Sequence, residues 1–519
     1  DIDVLMADTR YQVIHEIVLA VQQKRSDASE HFTAKLDRIV LHRFWALPIF
    51  FAMMYLMFLL AINIGGAFQD FFDISTNAIF VHGSTWVLQH LGMPDWVVAL
   101  FANGVGKGIN TTLTFIPVIA SMFFFLSLLE ASGYMARAAF VVDKAMRMLG
   151  LPGKSFVPMI VGFGCNVPAI IASRTLDSER DRLLTILMSP FMSCSARLAI
   201  YAVFVAAFFP TGGQNIVFSL YLIGILMAVF TGFLLRKTVL RGQSSPLILE
   251  LPAYHKPSLR RLLKETALRL NLFIRRAGKL IIPVCVILGG LNALTIHGEI
   301  SLYEASRDSV LSIIGQWLTP LFSPMGLHQD NWPATVGLLS GMLAKEVVVG
   351  SLNTLYAQMG HLVLTTTSFD FFGELHQALW SIPHNLAGLG SAWMNPIEAG
   401  APSGQGMASI YGIMYQHFDG QAGAYAYLLF ILLYIPCVST MAAIRQEASR
   451  KLMWFSIVWS FVVAYVVAVS FYQVATFNAH PQNSVFWLSG LFLTILTVLM
   501  IARLKFTETS GESHAAATS

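Results

Sequence analysis

Apolar residues along this 519-residue chain gather into runs of about 18 to 25, each closed by a short cluster of charge. Runs of that length predict helices that cross a bilayer. They fall near Phe44–Ile64, Ile109–Leu129, Leu183–Phe209, Ile216–Leu235, Leu280–Ile296, Tyr425–Ala443, Leu452–Tyr472 and Val485–Ala502. Two further apolar segments are irregular. Phe156–Ser173 has charge beyond both ends and is interrupted by Gly162-Phe163-Gly164-Cys165-Asn166-Val167-Pro168, while Pro333–Tyr356 carries Lys345-Glu346 near its middle. Backbone broken at membrane depth is tolerated only where protein or a water-filled cavity covers the freed carbonyls. If both segments dip in and return, eight full crossings put both termini on one side; if either crosses fully, the parity changes.

Composition agrees with this pattern and narrows it. With 55% hydrophobic residues, 12% charged residues and a mean hydropathy of +0.63, the chain is too apolar for a soluble protein of its size. A net charge of +4 gives no case for nucleic acid. The placement of the bases is more informative. Lys24, Arg25, Lys35, Arg38 and Arg43 precede the first run, Arg236 to Arg276 supply a strongly basic loop, and Arg503 and Lys505 follow the last run. Asp70, Asp73 and Asp95 lie on the opposite side, so the basic segments face the cytoplasm by the positive-inside rule. The expected organisation is a cytoplasmic helical segment at 1–43, a first membrane half at 44–235, a basic loop at 236–279, a second membrane half at 280–504 and a polar, disordered tail at 505–519. The stretch from Ser258, basic and apolar at helical spacing, is expected to lie on the membrane surface against lipid headgroups. No signal peptide is expected at the start, because residues 1–35 are polar.

Pieces of the first half recur in the second. Ser132-Gly133-Tyr134-Met135-Ala136-Arg137 is echoed by Ser340-Gly341-Met342-Leu343-Ala344-Lys345, and Cys165-Asn166-Val167-Pro168 by Pro436-Cys437-Val438-Ser439. Separate offsets of 208 and 272 residues imply a 64-residue insertion in the second copy, matching the charge-poor, His-containing stretch at 357–420. Repeats that carry helix breaks in corresponding positions point to a transporter's binding site near the midplane.

Ionisable and soft groups inside a membrane are functional candidates because burying them is costly. Cys165 and Cys437 fall at the echoed breaks, and Glu130, Glu346, Asn166, Ser193 and Cys194 can add oxygen, amide or sulfur donors. That mixed set suits a divalent transition ion better than magnesium or calcium. Gly164, Pro168, Arg137, Lys345 and Arg197 are expected to serve as structural or gating residues. Cys285 lies in a plain apolar run and reads as core, and the four cysteines show no CxxC spacing or disulfide framework. His361, His376, His384 and His417 match no ligand motif. Gly150-Leu151-Pro152-Gly153-Lys154-Ser155 lacks the first glycine of a phosphate loop, since Met148 stands there. Two alternatives remain at this level: a permease for a nucleoside or other solute, relying on Asn166 and Ser193, and a membrane thiol redox protein using Cys165, Cys194 and Cys437.

The runs Ala7-Asp8-Thr9-Arg10-Tyr11, Leu129 to Arg137, Gly162 to Ala169 and Ala344-Lys345-Glu346 resemble the membrane portion of bacterial ferrous-iron transport protein B, the FeoB family. The resemblance implies an all-α, polytopic transmembrane bundle with two Gate-type repeats containing interrupted helices. It also implies a Fe(II) importer of the bacterial inner membrane, with cysteines along the iron path and no covalently bound cofactor. Family members carry an N-terminal GTPase domain, for which this chain shows no phosphate loop. The chain is therefore expected to be the transporting part and not itself an enzyme. Its implied partners are Fe(II), the lipid bilayer, the GTPase domain, small cytoplasmic accessory proteins and a homo-oligomeric copy of itself.

Overall fold

The computed structural model describes residues 2–21, 30–42, 44–114, 116–148, 153–176, 178–209, 212–238, 240, 253–295, 309–342, 345–359, 370–392, 407–491 and 493. Among them the chain is helical, with two isolated bridges and no strand. Five stretches are long and apolar enough to cross a membrane: Asp95–Ser132, Glu179–Phe208, Gly213–Thr238, Gly420–Glu447 and Arg450–Ala475. Pro48–Met57 and Ile281–Ala293 are shorter apolar pieces inside longer helices. The last expected run, near Val485–Ala502, lies mostly outside the described residues, as do the 505–519 tail and most of the basic loop before residue 253.

Two helices, α1 (Ile2–Val21) and α2 (Glu30–Val40), precede α3 (Ala46–Asn77). At ~1.5 Å per residue α3 is longer than a bilayer core is thick. It continues through a π-helical turn, Ala78–Gly83, into α4 (Ser84–His90). The chain returns through α5 (Asp95–Val98), a second π-helical stretch (Ala99–Gly106), α6 (Lys107–Thr114) and α7 (Ile116–Ser132). Gly133, at φ +83, turns α7 into α8 (Tyr134–Met148).

Two short helices, α9 (Phe156–Gly164) and α10 (Asn166–Ala172), pack against each other around Cys165. Lys154 before α9 and Arg174 after α10 line one cavity, which fits a segment that enters and returns on the same side. Next come α11 (Glu179–Met188) and α12 (Ser195–Phe208), the two parts of one crossing, and the unbroken α13 (Gly213–Thr238). The basic stretch from Ser258 is no separate surface helix. It is the first part of α14 (Leu259–Ala293), 35 residues that run on into the apolar region.

The second half opens with α15 (Val310–Phe322) and a second packed pair, α16 (Trp332–Gly341) and α17 (Lys345–Met359). Within the inserted stretch, α18 (Phe371–Ala392) lies along α3, tied by His82 Nδ1 to Glu374 at 2.9 Å and by Asn385 Nδ2 donating to Asp70 at 2.8 Å. After α19 (Met407–His417), α20 (Gly420–Leu433) and α21 (Val438–Glu447) form a second broken crossing, followed by the continuous α22 (Arg450–Ala475). The core centres on α20, whose residues from Gly423 to Leu433 are all buried.

Each half thus holds a packed helix pair followed by a crossing that breaks midway. This groups the echoed motifs differently from their sequence similarity. The Cys165 turn corresponds in the fold to the α16–α17 junction, and the break at Cys437 corresponds to the break at Cys194. Short Ala-rich stretches look alike wherever they occur, whereas the order of pair and broken span is set by packing.

Candidate functional site

A straight helix pairs each carbonyl with the N–H four residues on, so a break leaves several groups without partners. In the first half, α11 ends in a 3-10 turn at Ser189–Phe191, Met192 is extended at φ −69 and ψ 133, and Cys194 is extended at φ −82 and ψ 163. In the second, α20 stops before Tyr434-Ile435-Pro436, and Cys437 at φ −59 and ψ 156 precedes α21. Cys165, at φ −155 and ψ 131, makes the turn between α9 and α10. Each of these three cysteines stands directly before a helix N-terminus.

Both breaks are capped by side chains. The guanidinium of Arg197, fully buried, donates through Nη1 to the carbonyls of Pro190 at 3.1 Å and Met192 at 2.8 Å. Its Nε and Nη2 have no hydrogen-bond partner among the described residues. The Asn166 amide, turned so that its nitrogen faces two carbonyls, donates to Ser189 at 3.0 Å and to Gly162 at 3.1 Å. In the other half, Lys345 Nζ donates to the Ile431 carbonyl at 3.3 Å and sits 4.1 Å from the centre of the Tyr434 ring. The Val438 N–H, freed by the same break, donates to the Met342 carbonyl at 3.1 Å. Asn166 and Lys345 therefore do comparable work: each reaches from the second helix of its pair to a carbonyl in the broken span, that of Ser189 also accepting from the Met192 N–H at 3.1 Å.

Close approach of each pair to its span depends on one glycine. A Cβ on Gly162 would meet Met192 Cβ at 3.2 Å, and one on Gly341 would meet the Tyr434 hydroxyl at 2.3 Å. Pro168 does not interrupt a helix as its sequence context suggests. It occupies the first turn of α10, where its missing N–H leaves no intrahelical bond unmade. Gly164 is the buried last residue of α9, so the break itself belongs to Cys165.

The structure brings the two broken crossings together. Cys437 lies within electrostatic reach of Cys194 and Lys345, and the Tyr434 hydroxyl within reach of Arg197, Cys194 and Cys437. Cys437 Sγ contacts Thr440 Oγ1 at 3.1 Å, and Ser193 Oγ donates to Tyr201 at 3.1 Å. Cys165 lies at the seam of two apolar clusters, touching the groups built on Val161 and Ala169 and on Ile170 and Ile444. The described residues contain no group of three His, Cys, Asp or Glu side chains poised to hold a metal. What they offer a cation is sparse: thiols, a hydroxyl and carbonyls.

Other candidates lie elsewhere. Glu130 is exposed at the end of α7 and paired with Arg269 of α14 at 2.9 Å. Glu346 belongs to α17, but its side chain lies outside the described residues. Arg137 is fully buried and holds Asp37 of α2 at 2.8 Å and 3.1 Å, with the Gly133 carbonyl at 2.9 Å and the Tyr254 ring centre 4.0 Å away. Burial pushes the Tyr254 hydroxyl up to about 12, so a neutral ring faces the guanidinium. Cys285 of α14 packs beside Gly108 of α6. His376 accepts from Trp380, His417 bonds the Ile413 carbonyl and His384 lies on α18 beside α3, while His361 falls outside the described residues. Sequence reasoning missed Tyr434, Tyr201 and Ser189. The Tyr434-Ile435-Pro436 and Ser189-Pro190 steps were the available signal, since a proline ends the pairing before it.

Comparison with known proteins agrees with this architecture. The Gate family, described as nucleoside recognition, matches residues 112–208 and 274–451, which hold both helix pairs and both breaks. The family described as the C terminus of ferrous iron transport protein B matches residues 217–269. No solved structure matches the chain. A Legionella pneumophila (strain Lens) protein named Fe(2+) transporter FeoB is 74% identical over 504 residues, covering 97% of this chain and 67% of the relative. Proteins of the same name from Escherichia coli (strain K12) and Salmonella typhimurium are each 49% identical over 503 residues, covering 96% of this chain and 65% of theirs. With the Gate match spanning both halves and this identity running through nearly all of its length, the chain belongs to the FeoB family.

Proposed function

We propose that this chain is the membrane-permeation part of a Fe(II) importer. One observation carries the reading: two crossings, one from each half, break where they pack against each other, with the backbone at the breaks capped by Arg197, Asn166 and Lys345 and Cys437 within electrostatic reach of Cys194. The relatives named for Fe(2+) transport support the choice of ion. Fe(II) entering from the face opposite the basic segments sheds part of its water at the breaks. There the thiols of Cys194 and Cys437, with Cys165 on the adjoining turn, replace it. Two thiols and weak oxygen donors hold a borderline ion without trapping it, as conduction requires. Movement of one helix pair against the other half releases the ion inward. The protein sits in the bacterial inner membrane with α1 and α2 in the cytoplasm, and GTP hydrolysis by a GTPase domain, with small accessory proteins, drives the cycle.

The test is anaerobic Fe(II) uptake by proteoliposomes, comparing wild type with Cys194→Ser, Cys437→Ser and Cys165→Ser at equal folded content. Loss in the first two supports the paired breaks as the ion path. Undiminished uptake in all three overturns the thiol ligands. The Gate description favours one second reading, a nucleoside permease. Nucleoside uptake that survives every cysteine change would select it.

A further inference from the structure

A cavity of about 1270 Å³ opens between α7–α10 on one side and α14, α21 and α22 on the other. Its walls are apolar, with Phe123, Val161, Ile171 and Phe273 among them. Its charged side chains are strongly unbalanced. Lys154, Arg174, Arg269, Lys279 and Arg445 supply five bases from separate parts of the chain, against the single carboxylate of Glu130. That carboxylate is taken up by Arg269, and Arg174 is held by Glu447 at 2.5 Å from outside the lining. Lys279 and Arg445 form no ion pair among the described residues, so the lining carries an excess of positive side chains.

The mouth of the cavity tells what medium it meets. Leu272 of α14 and Trp454 of α22 both line it, yet they are 52% and 54% exposed. Large apolar side chains left open beside an apolar chamber indicate a sideways opening toward acyl chains, and Trp favours the level of the headgroups. The approach along α14 has the same character: Leu259, Leu263 and Leu268 are exposed between Arg260, Arg261 and Lys264. Basic pockets between transmembrane helices on the cytoplasmic side suit the headgroups of anionic lipids, and a bare phosphate would leave these apolar walls unfilled.

We infer that this cavity is a binding site for an anionic phospholipid, its phosphate held by Lys279 and Arg445 and its acyl chain passing out between Leu272 and Trp454. Val438 and Ser439, just past the break, line the cavity, whereas Cys194 and Cys437 do not, and lipid retention tests the inference without reference to ion uptake. A lipid here would bridge α14 to α21, the helix that starts at Cys437, and would supply the negative charge that the lining lacks.

The full chain in nanodiscs of phosphatidylcholine, with phosphatidylglycerol titrated in, gives the test, with bound lipid counted by native mass spectrometry. Wild type should retain phosphatidylglycerol selectively, and Lys279→Gln with Arg445→Gln should weaken that retention by about tenfold or more. The swap Lys279→Arg with Arg445→Lys should keep it. Arg260→Gln with Arg261→Gln, on the exposed start of α14, should change it little. An equal loss in that second pair, or equal retention of phosphatidylcholine, would reduce the effect to diffuse surface charge and overturn the site. Displacement of the lipid by low millimolar inorganic phosphate would overturn the lipid reading in favour of a soluble anion.

Discussion

Arg197 shows how a single side chain can make a broken membrane helix tolerable. Its Nη1 meets the carbonyls of Pro190 and Met192 in the break at residues 189–194, and it forms no ion pair among the described residues. Removing it would strand both carbonyls in a dry interior, which costs about 1–3 kcal/mol for each unsatisfied group. Arg197→Met is therefore expected to lower the unfolding temperature of the detergent-solubilised protein clearly. Arg197→Lys, which can still reach one carbonyl, should recover part of the loss. The cysteines separate by position in the same way. Cys194→Ser and Cys437→Ser should each reduce Fe(II) uptake by about tenfold or more if they replace water on the ion, whereas Cys285→Ser, beside Gly108, should leave it unchanged. A loss in Cys285→Ser equal to the others would show that the effect is not local to the breaks.

At the scale of elements, the packed pairs are held against the broken spans by steric fit. Gly341 has no room for a methyl group, because the Tyr434 hydroxyl would stand 2.3 Å from it and Val348 Cγ2 2.6 Å. Overpacking of this kind typically costs about 1–3 kcal/mol. Gly341→Ala should accordingly destabilise the protein and disturb the Lys345 contact with Tyr434. Gly350→Ala, further along on α17 where nothing lies within 4 Å, is the matched control and should be neutral or slightly stabilising. Similar unfolding midpoints for the two would remove the steric argument. The element that sequence reasoning placed best was the α9–α10 turn, because glycine, proline and a polar amide clustered within an apolar run disfavour an unbroken span. It placed the breaks in the crossing spans less well. Ser189-Pro190 and Pro436 are visible in the sequence, but which carbonyls they free, and that Asn166 and Lys345 reach them, depends on neighbours distant along the chain.

Across the whole molecule, Arg174 and Glu447 link the two halves. Arg174 follows α10 and Glu447 ends α21, and both guanidinium nitrogens that face the carboxylate lie 2.5 Å from it. The hydrogen bonds to Glu447 raise the already high pKa of Arg174, so the pair stays charged unless the carboxylate is protonated. Since Arg174 is half exposed, the bond adds at most about 1 kcal/mol to stability. Its effect should appear in transport. If the first helix pair moves against α21 during the cycle, Glu447→Gln should change the uptake rate several-fold with little change in unfolding temperature. The exchanged pair, Arg174→Glu with Glu447→Arg, should return the rate toward wild type. A rate unaffected by all of these changes would mean that this contact does not open during transport.

By itself the sequence determined that this is a helical membrane protein with two related halves. Hydrophobic run length, the side carrying the bases and the glycine–proline breaks are local properties that the bilayer reads directly. The family likeness was legible too, because its motifs are contiguous. Only the tertiary structure decided which breaks correspond, that Cys194 comes within electrostatic reach of Cys437, that Glu130 is committed to Arg269, and that five bases gather around one apolar cavity. Those facts depend on helices meeting across the membrane, where a freed carbonyl takes whichever donor packing brings within reach. Similarity between short Ala-rich stretches does not encode that choice.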